Sequence, residues 1–136
     1  MRWIILLLAG FKIALPGHAA AGQVVYDCSI RSNERYGWIP PRMTFVVDEA
    51  TNSVSVYDPI IDHVHGAPVA AQVTSVSGGR YKLKWTLQNL PGRTRSTKGQ
   101  YSATLDTGKS YVRTRATLSG FANRPSGQGA CAVSRR

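Results

Sequence analysis

Acidic residues are scarce in this chain. Seven Asp and Glu stand against seventeen Lys and Arg in 136 residues, a formal charge of +10 with histidine neutral. So few carboxylates leave no close pair on one strand face, which a glycosidase site requires. No serine occupies a Gly-x-Ser-x-Gly elbow, which removes the exposed nucleophile of α/β-hydrolases. No apolar run approaches the roughly 20 residues of a membrane-spanning helix. Beyond residue 21 no long segment repeats at the helical period. The same region holds only two histidines, His63 and His65, one short of a three-imidazole zinc site.

Cysteine is nearly absent as well, with Cys28 and Cys131 alone. What precedes them reads as an export signal. Met1-Arg2 supplies an early positive charge, residues 3–11 are apolar, Pro16 breaks any helix and Ala19-Ala20-Ala21 offers a small-residue exit. Lys12 interrupts the apolar part. The expectation is a signal peptide over 1–21, a single domain over 22–136, and a periplasmic or secreted location. Outside the cytoplasm an even pair of cysteines implies a disulfide, which leaves no thiolate for catalysis. The two positions are 103 apart, and the chain-entropy model assigns a loop of that size roughly 4–5 kcal/mol. A disulfide also requires Cα atoms within about 7 Å, so the first and last structured segments must be neighbours.

The dominant period is two. Met43, Phe45 and Val47 share a face, as do Val54 and Val56; Tyr81, Leu83, Trp85 and Leu87 alternate with Lys82, Lys84, Thr86 and Gln88. Strands with one buried face follow, at 23–30, 42–48, 53–58, 69–77, 81–88, 100–106, 110–119 and 130–133. Gly78-Gly79 suits a tight hairpin. Segments 31–41, 58–68, 91–99 and 121–129 read as longer connections. Short turns between neighbours give an antiparallel meander, and a meander whose ends are bonded together closes into a barrel. A β-sandwich is the alternative all-β architecture. A membrane barrel would need the Tyr81/Leu83/Trp85/Leu87 face outward on strands shorter than the roughly 9–11 residues that cross a bilayer.

Charge is unevenly placed. Residues 22–79 hold three basic and six acidic side chains, whereas 80–136 hold twelve basic and Asp106 alone. If the strands at 81–88, 100–106 and 110–119 are adjacent, Lys82, Lys84, Arg113 and Arg115, with Arg93, Arg95 and Lys98 of the intervening segment, make one basic surface. Such a surface attracts anions, here an anionic glycan, a lipid head group or an acidic protein; a solvated face without a partner has the same composition. Nucleic acid is not expected, because Tyr81 and Trp85 alternate away from Lys82 and Lys84. His63 and His65, on one side of an extended loop near Asp58 and Asp62, are weak metal candidates; no metal or cofactor is expected. Trp38, in the aromatic, proline-stiffened segment 36–41, reads as a cap packing on the core.

Tyr26-x-Cys28, Trp38-Ile39-Pro40, Tyr57-Asp58-Pro59, Trp85-Thr86-Leu87 and the late Cys131 together resemble small exported proteins of α-proteobacteria, whose function is uncharacterised. Val25-Tyr26-x-Cys28 and Ser77-Gly78-Gly79-Arg80-Tyr81 are similar in layout to periplasmic lysozyme inhibitors, which are disulfide-closed β-barrels. That resemblance implies inhibition of an envelope-active enzyme, but lysozyme is basic and so is this chain, and like charges disfavour the complex. The residues point to a binding protein rather than an enzyme. A carrier with an apolar ligand inside the barrel and a hydrolase built around His63 are the competing readings.

Overall fold

A computed structural model describes residues 22–91 and 96–136; the expected signal peptide lies outside them. Eight antiparallel strands run in chain order: β1 (Gln23–Ser29), β2 (Arg42–Asp48), β3 (Ser53–Tyr57), β4 (Val69–Ser77), β5 (Arg80–Leu90), β6 (Thr97–Asp106), β7 (Tyr111–Leu118) and β8 (Ser126–Arg135). Each pairs with the next and β8 returns to β1, so the barrel is closed. Two strands change partner along their length. Residues 69–71 of β4 pair with β3 and the rest with β5, across a bulge between Val73 and Ser75. Residues 126–130 of β8 pair with β7, and 131–135 with β1. These two strands join a β1–β2–β3 face to a β5–β6–β7 face, which is why sandwich-like alternation ends in a closed barrel.

Alternation becomes burial as expected. Tyr81, Leu83, Trp85 and Leu87 face the interior, while Lys82, Lys84, Thr86 and Gln88 are exposed. The Gly78-Gly79 turn has φ of 58° and 77°, the doubly left-handed geometry of a type I′ hairpin, open to glycine without a Cβ penalty. The interior is filled by side chains. Tyr101, Phe45, Met43, Leu83, Leu90, Leu105 and Leu118 are at most 2% exposed. Tyr101 stacks on Trp85 with centroids 5.7 Å apart, and Trp85 meets Phe45 edge-on at 6.2 Å. Each fully buried large apolar side chain contributes about 1.5–3 kcal/mol. The Tyr101 hydroxyl donates to the Trp38 carbonyl at 3.0 Å. The Trp38 ring, 5.9 Å from that of Phe121, packs on the core, so this loop does cap one end of the barrel.

Cys28 and Cys131 are bonded and directly opposed across β1 and β8, their Cα atoms 3.9 Å apart. The expected first-to-last restraint is met.

Four expectations need correction. The 58–68 connection contains a helix, α1 (Pro59–His65). Asp58 Oδ1 accepts the Ile61 N–H at 2.8 Å, Pro59 begins the helix and Gly66 ends it at φ 75°. Asp, Pro and Gly here are start and stop signals rather than loop breakers. Ile61 is fully buried, so α1 lies over the core as part of the closure. β5 extends past residue 88 to Leu90, because a bulge with Asn89 at φ 58° turns Leu90 back inside. β6 begins at Thr97 rather than 100, which puts Lys98 on a strand, and β8 begins at Ser126 rather than 130. Gly127 and Gly129 are strand residues at points of close approach, not turn residues. A Cβ on Gly127 would lie 2.7 Å from Ile30 Cγ2, and one on Gly129 would overlap the Ser29 carbonyl oxygen.

Asp58 is 3% exposed, and its Oδ2 has no partner among the described residues. Desolvation raises its pKa, against the lowering effect of the Ile61 and Ile60 backbone N–H groups. The folded state therefore keeps this proton over a pH window in which the unfolded chain has released it. The contribution is fully present below the ordinary carboxylate value and is lost as pH rises through the folded value. Asp27, hydrogen-bonded by Arg42, and Asp106, hydrogen-bonded by the Lys109 backbone and Arg80, are shifted down and act with the opposite sign as pH falls.

Two outcomes are expected. Gly129→Ala should lower the urea-unfolding free energy by about 3 kcal/mol or more, whereas Gly108→Ala, in an exposed turn, should stay within about 0.5 kcal/mol; equal midpoints would contradict the close approach. Asp58→Asn preserves the capping acceptor, so its stability relative to wild type should rise as the pH is raised from the ordinary carboxylate value. A pH-independent difference would refute the buried proton.

Candidate functional site: a basic groove across β5, β6 and β7

The register of the second face decides which side chains meet. Lys84 is opposite Ser102, Ser102 opposite Arg115, and Arg115 opposite Ser126. One outward step along the strands, Lys82 is opposite Thr104, Thr104 opposite Arg113, and Arg113 opposite Gln128. Neighbouring strands are about 4.8 Å apart and same-face residues recur about every 6.8 Å. The four cations thus stand at the corners of a rectangle of about 10 by 7 Å at Cα level. Their long stems form walls, while half-buried Ser102 and Thr104 of β6 form the floor. The resulting groove, about 810 Å³, is also lined by Thr74, Ser126 and Gln128.

A fifth cation enters from beyond β1. Arg31 and Gln128 exchange backbone hydrogen bonds of 2.8 and 3.0 Å, and Ser32 Oγ holds the Ser126 carbonyl at 2.6 Å. Arg31, Ser32 and Asn33 thereby become one rim of the groove. Sequence reasoning missed Arg31. The signal was present in the disulfide, because antiparallel pairing that opposes Cys28 to Cys131 also opposes Arg31 to Gln128, three residues on along one strand and three back along the other.

No Asp or Glu lines this groove. The acids have other partners: Asp27 pairs with Arg42, Glu49 with Arg135 at 3.3 Å, and Asp106 with Arg80 at 3.4 Å. In water, unit charges about 8 Å apart repel by about 0.5 kcal/mol. Five uncompensated cations therefore strain the fold only mildly, yet their potentials add where an anion would sit.

Of the seven residues expected to form the patch, the structure brings together Lys82, Lys84, Arg113 and Arg115. Lys98 is exposed on the same outer face of β6 but four residues from Ser102, outside the groove. Arg93 and Arg95 lie outside the described residues. His63 and His65 do not share a side, because helical geometry turns residues two apart by about 200°, and no metal-binding group of three occurs among the described residues. No helix among them is long and apolar enough to cross a membrane. Comparison with protein-family models, with curated proteins and with solved structures finds no match.

Relieving the repulsion should be measurable. Lys84→Gln with Arg115→Gln is expected to raise the thermal midpoint slightly at low ionic strength, with the gain vanishing near 1 M salt, where the Debye length is about 3 Å. A midpoint lowered at all salt concentrations would mean that the two cations already have partners.

Proposed function

We propose that this is an exported, periplasmic or secreted β-barrel binding protein that is not an enzyme and engages an anionic envelope component or acidic protein through the β5–β6–β7 groove. The observation that carries this reading is the composition of the groove: five cations, a floor of hydroxyls and no carboxylate. Arg binds oxyanions through a planar fork and Lys as a point charge, and serine and threonine hydroxyls donate to the same acceptors. Export draws support from the disulfide, which persists in oxidising compartments. A ligand carried inside the barrel finds less support, because Tyr101, Phe45, Met43 and Leu105 occupy the interior.

The test is retention on a sulfated-glycan or other polyanionic matrix. Lys84→Glu with Arg115→Glu should lower affinity by about 10- to 100-fold and reduce its salt dependence. Arg42→Gln with Arg135→Gln, on the face where both arginines are paired, should leave it unchanged. Binding indifferent to salt, or equal for both double variants, would remove the groove from consideration.

A further inference from the structure

We infer that the anion of this groove is a linear chain of phosphoryl groups laid along β6 between two rails of cations. This rests on the reading of the groove as an anion site and specifies its ligand. The rails are Lys84 and Lys82 on β5 and Arg115 and Arg113 on β7, with Ser102 and Thr104 spaced along the floor between them. Each level is a Lys–hydroxyl–Arg seat for an oxyanion, and the levels repeat about every 6.8 Å. Beyond the second level a smaller hollow of about 290 Å³ shares Thr104 and Arg113 with the groove and adds Lys109 and Arg80. Asp106, which also lines that hollow, holds Arg80 at 3.4 Å and accepts the Lys109 N–H at 3.0 Å. Its negative charge ends the track there.

The lining chooses among anions. No aromatic ring lines the main groove, since Tyr81, Trp85 and Tyr101 are buried inside the barrel and the ring of Tyr111 lines only the smaller hollow beyond it. That removes the stacking platform which nucleobases use and which sugar rings equally favour. It also removes the aromatic anchors on which a protein partner depends. A chain with charge on every unit and no apolar surface matches a lining of cations and hydroxyls. The phosphoryl groups come either from free polyphosphate or from a lipid head group that carries a diphosphate.

Calorimetric titration of the protein with orthophosphate, pyrophosphate, tripolyphosphate and longer polyphosphate separates the possibilities. Affinity is expected to rise at least about tenfold from orthophosphate to tripolyphosphate and to level off once the track is filled. Lys84→Gln with Arg115→Gln, and Lys82→Gln with Arg113→Gln, should each cut tripolyphosphate affinity about tenfold or more, with far-ultraviolet circular dichroism unchanged. Beside phosphatidic acid vesicles as the single-phosphate control, vesicles of phosphatidylcholine with diacylglycerol pyrophosphate form the second arm. Binding to them that tripolyphosphate displaces assigns the phosphate to a head group; no vesicle binding assigns it to the free chain. Tripolyphosphate binding no tighter than orthophosphate overturns the inference. If a carboxylate chain such as polygalacturonate then binds in a groove-dependent way, the anion site stands without its phosphate ligand. If neither binds, both readings fall.

Discussion

The seam between β1 and β8 is where this structure is decided. Seven of the eight strand pairings join sequence neighbours through a connection of the chain; the eighth joins its two ends and has no turn to guide it. The Cys28–Cys131 bond supplies what a turn would otherwise supply, a fixed register. A slip of one residue would exchange the inner and outer faces of a strand, and here it would carry Cys28 and Tyr26 out of the core. The bond also sets Arg31 against Gln128, so the same constraint that closes the barrel completes the rim of the groove. Core and site thus share one register determinant.

The fold was legible wherever a strand has one wet face. Alternation in 42–48, 53–57 and 81–87 is unambiguous because the two sides meet different solvents. It failed where glycine and proline have two meanings. Pro59 and Gly66 are loop residues on composition and helix boundaries on position, and only the Asp58 cap between β3 and the buried Ile61 tells them apart. Gly127 and Gly129 look like turn residues because the crowding that demands them comes from Ser29, Ile30 and Ile39, a hundred positions away along the chain. The site was legible in the same measure. Lys82, Lys84, Arg113 and Arg115 alternate on strands and were placed together correctly. Arg31 belongs to a segment without periodicity, and only pairing across the seam reveals it.

The division of charge follows the division of faces. Asp27 and Glu49 are matched by Arg42 and Arg135 at the β1–β2 side of the barrel, and Asp106 is taken up by Arg80 at the hairpin end. Exposed pairs of this kind add little to stability, of order 0–1 kcal/mol. Their consequence is spatial: none of these three carboxylates lines the groove. A net charge spread evenly would give a soluble protein and no directed field; concentrating it on two strands over short hydroxyl residues gives a field with a place and a shape.

The closure of the barrel by its final strand also governs when the molecule can come into being. β1 has β2 within reach early, but its other edge stays bare until β8, and with it the last tenth of the chain, has been made. Pairings of such long sequence separation form slowly, so closing the seam is the slow part of forming the barrel. With two cysteines there is one intramolecular pairing and no other to unscramble. The oxidation step therefore has no wrong internal answer, and the hazard it carries is a bond between two chains that meet while both are still unfinished.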